Sequence, residues 1–240
     1  MLTAIAAIAF LSPPQQDQTG AQLVSKMLKY YSDANTLTGT IKLTAFSGGG
    51  QAAMETYVQY EKPAKLFIRQ VKPGGEPQQW VIVSDGQRFG YDTPNDFPGA
   101  RQRLYEKVNQ GKGNVYDYKR IYALAAADSL GDRSLPLDFL ISRREDLEHD
   151  ILSFVTVNYN GKVAVGNEQL NSITGDWRPY GRAAVQGKYT MFLADDGHLI
   201  RYVLDETIAV PNAAPQQVRF VWVVDAKVDG TPDPSLFKVQ

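Results

Sequence analysis

The spacing of apolar residues predicts an α+β fold in which a single curled antiparallel sheet, an incomplete β-barrel of about ten strands, wraps on about three helices. Three observations carry this expectation. Segments in both halves of the 240-residue chain alternate apolar and polar residues with period two. Asp-Gly and Asn-Gly dipeptides, which accept the positive φ of tight hairpins, recur between those segments. Helical spacing is confined to one stretch near the N-terminus and one block in the middle.

The chain opens with Leu2–Leu11, LTAIAAIAFL, followed by the polar, proline-containing SPPQQDQTG. This reads as a signal peptide and polar leader over residues 1–19, with a small-x-small cleavage pattern at Ala7-Ile8-Ala9 and room for a cut as late as Pro14. No Lys or Arg precedes Lys26, and a short buried helix or strand is the alternative. Roughly ten apolar residues are too few for a bilayer that needs about 20, so no transmembrane segment is expected in the mature chain. Residues 20–240 read as one domain, because no repeat and no linker rich in Pro, Gly or Ser divides them.

Thr19 and Gln22 fit a capping box, and Leu23, Val24, Met27, Leu28 and Tyr31 then recur at helical spacing, so a helix is expected over residues 21–33. In the next segment Leu37, Gly39, Ile41, Leu43 and Ala45 alternate with Thr38, Thr40, Lys42 and Thr44, a strand with one apolar face. Gly48-Gly49-Gly50 turns the chain into METYVQY and KLFIRQV, and WVIVSDGQRFGY is a hairpin on Asp85-Gly86. The block from Asn114 to Asp128 and the stretch Leu135–Asp150 lack alternation and are expected to be helices. Afterwards Asn160-Gly161, Asp196-Gly197 and Asp229-Gly230 are expected as hairpin turns among KVAVGNEQL, KYTMFLA, LIRYVLDETIAV and QQVRFVWVVDAKV.

Composition narrows the function classes. Hydrophobic residues at 43% and charged ones at 21% belong to an ordered globular protein. A net charge of -1 offers no basic field, which argues against a nucleic-acid partner. Zero cysteine excludes disulfides, thiolate nucleophiles and zinc-thiolate clusters. There is no G-x-S-x-G elbow, and the two histidines, His149 and His198, suggest no triad. His198 is expected in solvent at the Asp195-Asp196-Gly197-His198 turn. Glu145 and His149 stand one helical turn apart as half a metal site, against which a solvated helix face with Arg143 and Arg144 is the plainer reading. The glycines of Gly48-Gly49-Gly50 and of GKGNVY lack the residues of a phosphate loop. Neither catalysis nor a cofactor is expected.

A sheet of this size must cover its apolar face, and curling around a few helices leaves a hollow wherever they do not fill it. Leu43, Phe67, Trp80, Ile82, Met191, Leu193, Phe220 and Trp222 are the candidates to line that hollow, with ordinary core packing as the alternative for each.

At EKPAKLFI and VIVSDGQRFGYDTP the chain resembles the superfamily of periplasmic lipoprotein carriers and outer-membrane lipoprotein receptors, LolA and LolB, with the related sigma-factor regulator RseB. The resemblance rests on Lys62, Pro63, Leu66 and Phe67, then Val83-Ser84-Asp85-Gly86, Tyr91 and Pro94, and at the end Asp233, Leu236 and Phe237. It implies a LolA-like half-barrel whose cavity takes acyl chains. In the carriers the basic residue before the proline is an arginine that latches a lid through backbone carbonyls; Lys62 stands at that position and lacks the bidentate fork. The receptor's lipidated cysteine has no counterpart. The expected role is therefore an envelope-located, periplasmic or secreted carrier of lipoprotein acyl chains or another hydrophobic ligand. A protein-interaction or sensor module with a filled hollow and an envelope protein partner is the second reading, and a carboxylate hydrolase the third.

Overall fold

The computed structural model describes residues 18–62, 65–72, 79–92, 104–107, 156–177, 184–209 and 212–239. The apolar leader, the two expected central helices and the Glu145/His149 pair lie outside them.

Among the described residues there is a single α-helix, α1 (Gln18–Asp33). Val24, Met27, Leu28 and Tyr31 are its buried stripe, the i, i+3, i+4, i+7 spacing that one helical face requires. Gln18 and Thr19, placed in the leader by the sequence, form the first turn, so Thr19 is inside the helix rather than at its N-cap.

The strands are β1 (Thr36–Ser47), β2 (Gly50–Glu61), β3 (Lys65–Val71), β4 (Gln79–Asp85), β5 (Arg88–Asp92), β6 (Leu104–Lys107), β7 (Asn158–Val165), β8 (Glu168–Trp177), β9 (Ala184–Leu193), β10 (Leu199–Ile208) and β11 (Gln216–Val228). They form one open antiparallel sheet in the order β6-β5-β4-β3-β2-β1-β11-β10-β9-β8-β7. Two meanders, β1–β6 and β7–β11, thus join through β1 and β11, the first and last of the described strands.

The turns separate the dipeptides by role. Asp85 closes its hairpin as expected, its carboxylate accepting the backbone N–H of Gln87 at 2.8 Å and of Arg88 at 2.7 Å. Asp196-Gly197 likewise connects β9 to β10. Asn160-Gly161 does not turn the chain. It sits inside β7 at a register shift between Tyr159 and Lys162, a β-bulge, and the reversal falls at Gly166-Asn167. Asp229-Gly230 ends β11 without a hairpin: Asp229 N–H donates to Thr36 O at 3.0 Å and its carboxylate accepts Asn35 N–H at 3.3 Å, so the dipeptide ties the end of β11 to the start of β1.

Alternation divides the sheet into two faces. The inner face carries the core: Leu37, Ile41 and Leu43 of β1, Met54, Val58 and Tyr60 of β2, Leu66 and Ile68 of β3, Ile82 of β4, and Trp222, Val224 and Ala226 of β11, with the stripe of α1 in the same cluster. The C-terminal segment lies on the outer face of β2 to β4. There Asp233 caps a 3-10 turn over Pro234–Phe237, accepting Ser235 N–H at 2.9 Å. Its own N–H donates to Gln59 Oε1 at 2.6 Å, and Lys65 Nζ stands 6.0 Å from the centre of the Phe237 ring.

Candidate functional site

The register of the ladders places a continuous row of side chains across the inner face. Met54 of β2 pairs with Leu43 of β1, Leu43 with Trp222 of β11, Trp222 with Tyr202 of β10, Tyr202 with Met191 of β9, Met191 with Ile173 of β8, and Ile173 with Tyr159 of β7. Period-two alternation makes this inevitable once the register is set, because residues paired across antiparallel strands share a face. The next row runs Ala45, Phe220, Leu204, Tyr189 and Gly175.

Aromatic rings link the two rows. Tyr189 and Tyr202 are parallel with centroids 6.3 Å apart, Tyr202 and Trp222 are tilted at 5.4 Å, and Trp222 stacks on Phe220 at 5.6 Å. Glycine makes room at one end. A Cβ at Gly175 would lie 1.9 Å from Thr156 O and 2.6 Å from both Cε1 and the hydroxyl of Tyr189, so only glycine lets the Tyr189 ring lie on β8. The Tyr189 hydroxyl then donates to Thr156 O at 2.8 Å. Burial pushes its pKa up, which keeps it a neutral donor.

The end of the inner face where β1 starts and β11 finishes is held by α1. Leu199 N–H donates to the Tyr31 hydroxyl at 3.0 Å, Lys26 Nζ donates to Asp195 O, and Tyr30 stacks on His198 with centroids 5.7 Å apart. His198 is therefore half-buried against the helix, not the free turn residue expected. Beside it Asn171 is buried with its amide satisfied: its Nδ2 donates to Leu193 O at 3.3 Å and Asp195 Oδ1 at 2.9 Å, and its Oδ1 accepts from the Tyr159 hydroxyl at 3.1 Å. Lys162 pairs with Asp195 at 2.8 Å and, with Asn171, holds that carboxyl below the usual range.

Lys62 lies at the same end. Its Nζ donates to Ser32 O in the last turn of α1 at 2.6 Å, and its backbone N–H donates to Asn35 O at 2.9 Å. A lysine near a helix C-terminus satisfies a carbonyl without an intrahelical partner and complements the helix dipole.

The residues expected to line a hollow fall into place unevenly. Leu43, Trp222 and Met191 share the long row and Phe220 belongs to its neighbour. Leu193 pairs with Asn171 and Leu199, and Ile82 pairs with Ile68, both on the inner face. Trp80 pairs with Gln70, at an inner-face register position. Phe67 is different: it pairs with Gln59 and Val83, between the buried Leu66 and Ile68, and so stands on the outer face where the C-terminal turn lies. A one-residue shift in phase accounts for the misplacement.

Sequence reasoning passed over Tyr202, Tyr189, Met54 and Ile173. The signal was present for Tyr189, which precedes Met191 and Leu193 at intervals of two. Among the described residues no group of three or more His, Asp or Glu is placed to hold a metal ion, and no helix is long and apolar enough to cross a membrane.

No family model matches the chain, and no curated protein matches it by sequence. Among solved structures it is similar to MucB at 14% identity and a TM-score of 0.45, over 93% of this chain and 64% of MucB, so it spans under two thirds of that protein. It is similar to LprF from Mycobacterium bovis at 10% identity and a TM-score of 0.46, over 91% of this chain and 98% of LprF. A LolA-superfamily protein from Nitrosomonas europaea matches at 8% identity and a TM-score of 0.33, over 92% of this chain and 97% of that one.

Proposed function

We propose that this chain is a non-enzymatic binding protein of the cell envelope that holds a hydrophobic or acylated ligand, such as a lipoprotein acyl chain, against the inner face of its sheet. The observation that carries the reading is the row from Met54 through Leu43, Trp222, Tyr202 and Met191 to Ile173. It is an apolar track crossing six strands, about 24 Å at the usual strand spacing, which is comparable to an extended long acyl chain. Its thioether members, Met54 and Met191, adapt to flexible hydrocarbon, and its aromatic members offer broad apolar faces. The apolar run Leu2–Leu11 supports export.

Entry to a buried track requires something to move. Lys62 serves as a latch in this reading: its bond to Ser32 O fixes the last turn of α1, and a single point-charge donor releases more readily than a bidentate guanidinium.

Native mass spectrometry of the detergent-free protein, mixed in turn with palmitic acid and a synthetic diacylated lipopeptide, tests the proposal. A one-to-one adduct with either, weakened by Leu43→Asp in protein that retains its circular dichroism, supports it. A clean unliganded mass with both contradicts it.

One observation favours a second reading. Tyr189, Met191, Tyr202 and Trp222 are all essentially fully buried, as a packed core would be. On that reading the hollow is filled, and the protein works as an interaction or sensor module whose surface meets an envelope protein. The same experiment separates the two.

A further inference from the structure

Trp222, in the middle of the long row, carries a buried polar donor. Trp222 is 2% exposed, and its indole Nε1–H has no hydrogen-bond partner among the described residues. Buried indole N–H groups ordinarily find an acceptor, and one left unpaired in an apolar setting is costly. Its register neighbours are Leu43, with Met54 beyond it, which offer no oxygen, and on the other side Tyr202, whose ring packs against the indole. On its own strand Phe220 stacks on the ring and Val224 follows, again without an acceptor side chain. A purely hydrocarbon-binding track would be served equally well by phenylalanine at this position.

We infer that Trp222 is a polarity-reading residue of the track: its indole N–H donates to one oxygen, an ester or amide carbonyl, on an otherwise hydrocarbon ligand. This rests on the binding function proposed above and narrows it to acyl esters and amides over plain hydrocarbons. Two rings fix the donor's plane, since Trp222 is held between Tyr202 at 5.4 Å and Phe220 at 5.6 Å, so the direction of the N–H is set before a ligand arrives. The chain on either side of the carbonyl would lie along Leu43 and Met54 in one direction and Met191 and Ile173 in the other.

The test compares methyl palmitate with heptadecane, which match in carbon number and differ in the ester, by displacement of the fluorescent hydrocarbon diphenylhexatriene from the full chain. The expected result is about a tenfold preference for the ester, the worth of one hydrogen bond. Trp222→Phe, which keeps an aromatic ring, is expected to abolish that preference while the heptadecane affinity reports any loss of packing. In parallel, the indole resonances of protein labelled with 15N-tryptophan are followed: one of the three is expected to shift on adding the ester and stay in place with heptadecane. This second readout needs no variant, so it decides the matter if Trp222→Phe does not fold. Equal displacement by both compounds, with no indole shift, overturns the inference and leaves the binding function standing. Failure of the protein to take up diphenylhexatriene and both compounds overturns the binding function as well.

Discussion

The backbone N–H of Leu199, at the start of β10, donates to the hydroxyl of Tyr31 in the last turn of α1 across 3.0 Å, and both residues are buried. A helix side chain thus supplies the acceptor that the first residue of a strand would otherwise lack. Burial also pushes the Tyr31 hydroxyl pKa up, so it remains neutral through the physiological range. Removing the hydroxyl by Tyr31→Phe leaves a buried donor unanswered. We expect a loss of about 1–3 kcal/mol in urea or guanidinium unfolding, the usual penalty for such a group. A loss below about 0.5 kcal/mol would show that water replaces the tyrosine.

Gly175 is the second point where a single atom decides packing. The Cβ of Gly175→Ala would collide with Thr156 O and with the Tyr189 ring, and backbone cannot yield as a flexible side chain does. The variant is expected to lose about 3 kcal/mol, the upper end of overpacking costs. Gly175→Ala combined with Tyr189→Leu should lose less than the two single losses added together, since both residues occupy one space. Thermal unfolding of the four proteins measures this.

His198 gives the fold a pH dependence. Its pKa is lowered from the ordinary 6.5, chiefly because burial disfavours the charged ring, against the raising influence of Asp196, the Ala226 backbone, Asp225 and Glu168. The unfolded chain therefore binds this proton more tightly than the folded one. Stability is whole above about pH 6.5 and is lost as pH falls from there through the folded pKa. His198→Phe preserves the stack on Tyr30 and removes the titration, so the stability difference between wild type and variant should narrow or widen only below that pH, in the direction that favours the variant in acid. Asp85, Asp195 and Asp233, whose pKa values are lowered, contribute their own loss only below about 3.8.

Lys62 holds the end of α1 from outside. Because its side chain is exposed, Lys62→Met should change global stability by no more than about 1 kcal/mol. Amide hydrogen exchange in the final turn, around Tyr31 to Asp33, should instead quicken severalfold as Ser32 O loses its donor. Unchanged exchange there would remove the latch role.

Local pattern made much of this architecture legible. The stripe from Val24 to Tyr31, the threonine-backed strand at Leu37–Ala45 and the Asp85 turn are all written in short-range spacing, and each lies where that spacing places it. What pattern could not supply was the pairing. That β1 and β11 meet, and hence that Leu43 and Trp222 stand side by side, depends on a contact between the two ends of the chain. Phe67 was misplaced because both phases of KLFIRQV mix apolar and polar residues, Phe67 and Val71 with Lys65 and Arg69 on one face and Leu66 and Ile68 with Gln70 on the other, so alternation alone sets no phase, and the C-terminal turn lies on the outer face beside Lys65. Asn160-Gly161 and Asp229-Gly230 have the composition of hairpins, yet a bulge and a strand end require the same left-handed backbone. Tyr202 was missed for a related reason: a tyrosine on an alternating strand suits either face, and register assigns it to the row.

On the proposed function, an acyl chain lies along the row that joins Met54 to Ile173. The most direct measurement is photolabelling of the detergent-free protein with a palmitic acid analogue bearing a mid-chain diazirine, followed by peptide mapping. One label per protein is expected, competed by unlabelled palmitate, on peptides of β9, β10 and β11 at inner-face residues such as Met191, Tyr202 and Trp222. No labelling, or uncompeted labelling of exposed outer-face residues such as Phe46 and Val223, would contradict it.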